Sequence, residues 1–77
     1  MPHVSIKHFP RELTDEQREK LVEAVTAAVV DNLDTYEGAV SIALEPVPED
    51  RWNAAVVEPE ISGRAHLLVK APDYGER

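Results

Sequence analysis

The residue best suited to chemistry is the second in the chain. Pro2 follows Met1, and a methionine before a small residue is normally excised, which would leave Pro2 with a free secondary amine. A proline nitrogen inside a chain is an amide and cannot act as a base, whereas a terminal one can. Burial beside apolar groups, or a nearby cation, lowers the pKa of such an amine. Pro2 is therefore a candidate general base for proton transfer next to a carbonyl group.

Other constellations that commonly carry catalysis are missing from the sequence. There is no cysteine nucleophile, no glycine-rich phosphate loop and no serine in a nucleophile-elbow context. The histidines, His3, His8 and His66, are far apart and lack the spacing of metal ligands. We therefore expect neither a metal nor a cofactor, and we interpret His3 and His8 as ordinary polar residues. The acidic residues of the segments 49–50 and 58–60 are interpreted as solvated loop residues.

The composition limits the partners of the chain. Fifteen acidic and eight basic residues give a formal net charge of -7, which repels phosphate backbones and argues against nucleic-acid binding. The apolar runs are far too short for a membrane span, and the start of the chain lacks the regions of a secretory signal. We expect residues 1–77 to form one cytoplasmic domain that binds neither nucleic acid nor a membrane.

The segment that follows Pro2 has the pattern of a strand. Residues 3–9 alternate, with Val4 and Ile6 on one face, and Pro10 then ends the pattern because it cannot donate to a ladder. A strand that begins almost at the N-terminus would hold the nitrogen of Pro2 in a fixed place rather than on a loose tail.

A helix and a second strand complete the predicted unit. Thr14 and Gln17 form a capping box that opens a helix predicted over 15–33, and the alternation of 39–45 predicts the next strand. Strand, helix and strand at this spacing indicate a β-α-β unit with parallel strands, of the α/β (α+β) class.

The remainder of the chain gives weaker signals. We expect a loop over 47–50, a break at 58–60, a short C-terminal helix over 64–70 and a closing turn over 72–75. One helix leaves the other face of the sheet uncovered, and so short a chain without cysteine buries little apolar surface alone. Both points predict that another copy of the chain completes the sheet.

Three stretches resemble a known family. They are FPRELTDEQREKLVEAVTAAVVDNL, VSIALEPV, and the tail from Trp52 through VVEPEI to LLVKAPDY. In this order, behind a proline that opens a strand, they are similar to the 4-oxalocrotonate tautomerase family, in its longer bacterial form. The resemblance covers essentially the whole chain.

The resemblance implies a fold and an activity. The fold is a β-α-β protomer that dimerises into four-stranded sheets, with a dimer favoured over a hexamer. The activity is enol–keto tautomerisation of a small 2-keto acid such as phenylpyruvate, with Pro2 as the general base and without a cofactor. Arg11 lies close to the first substrate-binding arginine of the family. Trp52 falls at its aromatic wall, and as a large apolar residue it could equally anchor the subunit interface.

One departure from the family bears on the substrate. The second arginine of the short members falls at Ser41, which carries no charge. This argues against a dicarboxylate and leaves Arg51, beside Trp52, as a substitute substrate-binding residue. Arg18 is interpreted as solvated, and Arg64 is undecided.

Two alternatives stay open at this point. A protonated Pro2 could act as an acid in water addition to, or dehalogenation of, small unsaturated acids, with Glu45 or Glu49 activating water. The second alternative is a dimeric protein that keeps the fold without catalysis.

Overall fold

The computed structural model describes residues 1–74, which are organised around one β-α-β unit. Strand β1 spans His3–His8, helix α1 spans Asp15–Leu33, and strand β2 spans Ser41–Pro46. The two strands pair in parallel, as the crossover through a helix predicts. The predicted order and type of these three elements are confirmed.

The strand pairing fixes where Pro2 sits. His3 lies opposite Ser41, and the register continues in step to His8 opposite Pro46. The Ser41 N–H donates to the Pro2 carbonyl at 3.1 Å, so the ladder reaches one residue beyond β1. The predicted start of the second strand at residue 39 was wrong, because Ala39 closes a 3-10 turn, Glu37–Ala39.

Helix α1 is capped as its sequence predicts. The Gln17 N–H donates to Thr14 Oγ1 at 3.0 Å, and the Thr14 N–H donates to Gln17 Oε1 at 2.9 Å. Helix α1 is followed by its C-cap residue Asp34, whose backbone adopts the left-handed conformation, with φ 54° and ψ 56°. Both predicted ends of this helix are confirmed.

The sheet uses its two faces differently. Ile6 and Leu44 project towards α1, where they line a cleft together with Leu21. Ser5 and Lys7 project from the opposite face of β1, where they line a second cleft with residues of the C-terminal part. The alternation of the sequence therefore sorts the strands correctly into a helix-facing side and a more polar side.

The C-terminal part differs from its prediction. A 3-10 turn, Glu49–Arg51, leads into a π-helix, Asn53–Ser62, that contains Pro59. The prediction of a break at 58–60 was therefore wrong, because the π-helix continues through Pro59. The predicted helix over 64–70 reduces to the 3-10 turn Ala65–Leu67. The predicted turn over 72–75 lies partly outside the described residues.

The protomer has a thin core. Its buried apolar residues are Ala39, Val47 and Val56, and none of the residues of α1 is buried. Leu33 is 64% exposed and Val69 fully so. So small a core suits a chain that gains stability by association with another copy. None of the helices within residues 1–74 is long and apolar enough to cross a membrane.

Candidate active site

Pro2 is held at the N-terminal end of β1. Its ring is half-buried, and its carbonyl is bound by the Ser41 N–H. Met1, by contrast, is 96% exposed. Excision of Met1 would therefore remove almost no packing while it converts the Pro2 nitrogen from an amide to an amine.

An aromatic cluster lies at the other end of β1. The rings of Phe9 and Trp52 meet edge to face, with centroids 4.9 Å apart and planes at 85°. The indole N–H of Trp52 donates to the hydroxyl of Tyr74 at 3.3 Å. An edge-to-face pair with one polar tip satisfied is a stable aromatic arrangement. It fixes the candidate wall residue Trp52 against the loop that follows β1.

Both candidate arginines belong to this same end. Arg11 is exposed in the loop between β1 and α1, and it borders an apolar cleft of about 230 Å³ that Phe9 and Leu13 also line. Arg51 is exposed and immediately precedes Trp52 in the chain. The structure thus places Arg11 and Trp52 each next to Phe9, whereas Arg51 is linked to this region only as the chain neighbour of Trp52.

Pro2 does not join that region within one chain. From Pro2 to Phe9 the backbone runs along β1, which at about 3.3 Å per residue spans roughly 20 Å. A small keto acid cannot bridge such a length. Glu45 and Glu49, the residues considered for water activation, likewise lie towards the Trp52 end of the strands.

Two features of the site region were missed by sequence reasoning. Phe9 was interpreted only as the end of a strand, yet it connects Trp52 with the Arg11 cleft. His3 was interpreted as an ordinary polar residue, yet its Nδ1 lies 2.7 Å from Ser41 Oγ across the paired strands. The strand register alone could have placed His3 opposite Ser41, whereas nothing in the sequence joins Phe9 to Trp52.

The prediction for Glu60 also needs correction. Glu60 is not a solvated loop residue, because its Oε2 accepts from Lys7 Nζ at 2.9 Å and its Oε1 lies 3.5 Å from Arg64 Nη1. The hydrogen bond from Lys7, together with its charge, lowers the pKa of the Glu60 carboxyl, and the same bond raises the pKa of Lys7. This ion pair ties the π-helix to the polar side of β1.

Among residues 1–74, no group of three or more His, Cys, Asp or Glu side chains is placed to hold a metal ion.

The described chain is built on a parallel β-α-β unit that opens directly behind a proline. The chain belongs to the Tautomerase family, whose sequence profile, described as tautomerase enzyme, matches residues 2–60. The match begins at Pro2 itself. The protein is accordingly an isomerase of the tautomerase type.

Similar proteins agree with this assignment. Tautomerase PptA of Klebsiella pneumoniae subsp. pneumoniae is 47% identical over 74 residues, which are 96% of this chain and 97% of the relative. Tautomerase PptA of Cronobacter sakazakii is 36% identical over the same shares of both chains. Among solved structures, DmpI from Helicobacter pylori superposes with a TM-score of 0.54 at 26% identity, over 61% of this chain and 78% of that one.

Proposed function

We propose that the protein catalyses enol–keto tautomerisation of a small 2-keto acid such as phenylpyruvate, with the imino nitrogen of Pro2 as the general base. The observation that carries the proposal is the position of Pro2. Its main chain is anchored by Ser41, directly behind an exposed Met1 whose loss frees the nitrogen. A fixed amine at the start of a strand is a preorganised base, as proton transfer requires.

The proposed proton transfer needs no cofactor. The lone pair of Pro2 takes the proton from the enol hydroxyl, and the electrons of that O–H bond form the carbonyl. The carbon end of the former double bond then takes the proton back from the Pro2 ammonium. The base is regenerated, and the substrate has moved one proton from oxygen to carbon.

The remaining candidates bind and enclose the substrate. Arg11 is exposed in the cleft beside Phe9, and Arg51 is exposed next to Trp52 in the chain. Either can steady a carboxylate, since a guanidinium matches its geometry. Trp52 would exclude water from the reacting atoms. Because these residues lie roughly 20 Å from Pro2 of their own chain, the proposal requires that a second protomer supply them.

A homodimer is the assembly that we favour, with a hexamer as the larger form. The two-stranded sheet of one protomer has unpaired outer edges among the described residues, and a second sheet can extend it to four strands. The thin core and the exposed apolar side chains of the protomer support association. We place the protein in the cytoplasm.

The test measures ketonisation of phenylpyruvate enol by loss of its ultraviolet absorbance. Two variants change the terminal secondary amine of Pro2 in different ways. Pro2→Ala leaves a primary amine, and a glycine inserted between Met1 and Pro2 leaves every side chain but makes the Pro2 nitrogen an amide. We expect kcat/KM to fall about 100-fold or more for the glycine insertion and by a smaller factor for Pro2→Ala. Mass spectrometry verifies the N-terminus of each protein. Unchanged activity of the glycine-extended protein would rule out Pro2 as the base.

A further inference from the structure

The pair formed by His3 and Ser41 is not used by the chemistry described so far. His3 Nδ1 and Ser41 Oγ lie 2.7 Å apart at the first step of the strand register. Ser41 also donates its N–H to the carbonyl of Pro2. One residue of β2 thus contacts both the residue that carries the base and the imidazole next to it.

The pair has little value for the stability of the fold. Both side chains are exposed, and a hydrogen bond that competes with water contributes little net free energy. Holding both side chains in one rotamer costs conformational entropy as well. What the bond does provide is geometry, because it fixes the plane of the imidazole beside the start of β1.

The bond also determines what the imidazole presents. Nδ1 is engaged by Ser41, so Nε2 points away from it, and within residues 1–74 Nε2 has no hydrogen-bond partner. When the Ser41 hydroxyl donates to Nδ1, the neutral ring carries its proton on Nε2 and offers an N–H donor. The protonated ring offers the same donor together with a positive charge.

We propose that His3 Nε2–H binds the carboxylate of the substrate and that Ser41 is the positioning residue for the ring. The assignment rests on the proposed function of Pro2. The α-carbons of neighbouring residues are about 3.8 Å apart, and in a 2-keto acid the carboxylate is only two bonds from the carbon that receives the proton. The base is a main-chain nitrogen and the imidazole is the next side chain, so the assignment requires that one small substrate reach both groups.

The assignment also fits the absence of an arginine at position 41. A hydrogen bond to a carboxylate is stronger than one between neutral groups. His3 would supply at this end of the site a donor that Ser41, lacking charge, cannot supply alone. The imidazole would bind the same carboxylate as the arginine that the second protomer contributes.

The test compares two enols that differ in the carboxylate. Phenylpyruvate enol carries it, and phenylacetaldehyde enol lacks it. We expect His3→Ala to lower kcat/KM for phenylpyruvate enol about tenfold or more, mainly through KM. Its effect on phenylacetaldehyde enol should be much smaller. An equal loss with both enols, or no loss with either, would overturn the assignment.

Two isosteric variants separate the atoms of the ring. The amide of His3→Gln reaches the position of Nε2, and that of His3→Asn reaches the position of Nδ1. We expect His3→Gln to retain more phenylpyruvate activity than His3→Asn, since only the former keeps a donor where the substrate binds. The opposite order would show that the bond to Ser41, rather than contact with substrate, is what matters.

Ser41 is tested by removal and rescue. Ser41→Ala should raise KM for phenylpyruvate enol, and Ser41→Thr, which keeps the hydroxyl, should restore it; failure of Ser41→Thr to do better than Ser41→Ala contradicts the positioning role. His66→Gln, at an exposed histidine of the C-terminal turn, is the matched control and should match the wild type.

The Pro2 variants in the same assay keep the two proposals apart. Activity independent of Pro2 overturns the proposed function, whereas Pro2-dependent activity that ignores His3 overturns only the carboxylate assignment.

Discussion

Pro2 and Trp52 lie at opposite ends of β1, roughly 20 Å apart along the strand. Trp52 packs on Phe9, just beyond the last residue of the strand, whereas Pro2 precedes its first. A site that uses the nitrogen of one and the indole of the other must therefore combine two protomers. The proposed enzyme is complete only as an assembly.

Mixed dimers test the shared site. Pro2→Ala and Trp52→Ala should each lower kcat/KM in their homodimers. In a dimer of one chain of each kind, one site combines a wild-type Pro2 with a wild-type Trp52, and the other site has both changes. We expect mixed dimers, made by refolding the two variants together, to recover about half the wild-type activity per dimer.

A site built within one chain predicts a different result for the mixed dimer. If each site were built from one chain, every site in the mixed dimer would carry one change, and mixing would restore nothing. A mixture that is never unfolded, and so exchanges no subunits, is the control for simple addition of two weak activities. Size-exclusion chromatography of the tagged mixed species verifies the assembly.

Arg11 is the candidate whose removal should affect binding most. It borders the cleft beside Phe9 and is exposed to a substrate. We expect Arg11→Ala to raise KM for phenylpyruvate enol about tenfold, because a charged partner of the carboxylate is lost. Arg51→Ala measures the second candidate in the same assay. Arg18→Ala, at an exposed residue of α1 that lines a neighbouring surface cleft with Arg11, removes the same charge from an adjacent position and should leave KM within about twofold. An equal effect of Arg11→Ala and Arg18→Ala would indicate general electrostatics and not a binding site.

The elements near the N-terminus could be predicted because their signals are local. The capping pair Thr14 and Gln17 is three residues apart, and the alternation of β1 and β2 depends only on neighbours. For the same reason the position of Pro2 at the start of a strand follows from the sequence. These are the parts where propensity and final packing agree.

The C-terminal part could not be predicted because its contacts are distant. Pro59 ordinarily ends a helix, and here it lies inside a π-helix that closes with the Gly63 N–H on the Glu58 carbonyl at 2.8 Å. A side chain at Gly63 would place Cβ only 2.7 Å from that carbonyl oxygen, so the close approach requires glycine. Glu60 finds Lys7 across 53 positions of sequence. Sequence patterns over a few neighbouring residues cannot predict contacts between residues so far apart in the chain.

The Lys7–Glu60 pair predicts how stability depends on pH. Its bond lowers the folded-state pKa of Glu60 from 4.5 and raises that of Lys7 from 10.5. The stability that comes from Glu60 is therefore present above pH 4.5 and is lost as the pH falls through the lowered pKa. The stability from Lys7 is present below pH 10.5 and is lost as the pH rises through the raised pKa.

Glu60→Gln removes this dependence. We expect the variant to unfold at lower urea concentration than the wild type at pH 7, and the difference to narrow at pH 3. Glu58→Gln, an exposed neighbour on the same π-helix, is the control and should show a smaller difference at pH 7. All proteins are compared at one concentration, because the proposed dimerisation would contribute to apparent stability. A difference that is the same at both pH values would contradict the role of the charge.

Asp34 gives a prediction about the end of α1. It is the non-glycine residue with positive φ among those described, and it places a carboxylate at the negative end of the helix dipole. Glycine adopts this conformation without the steric cost of a Cβ, so Asp34→Gly should raise the free energy of unfolding by about 0.5 kcal/mol. Asp34→Asn, which keeps the Cβ but removes the charge, should give only the electrostatic part of that gain. Asp31→Gly, inside the last turn of the helix, should instead destabilise by about 1 kcal/mol. Urea unfolding of the three variants ranks their free energies of unfolding. A loss of stability in Asp34→Gly would show that the Asp34 side chain stabilises the turn by more than its backbone conformation costs.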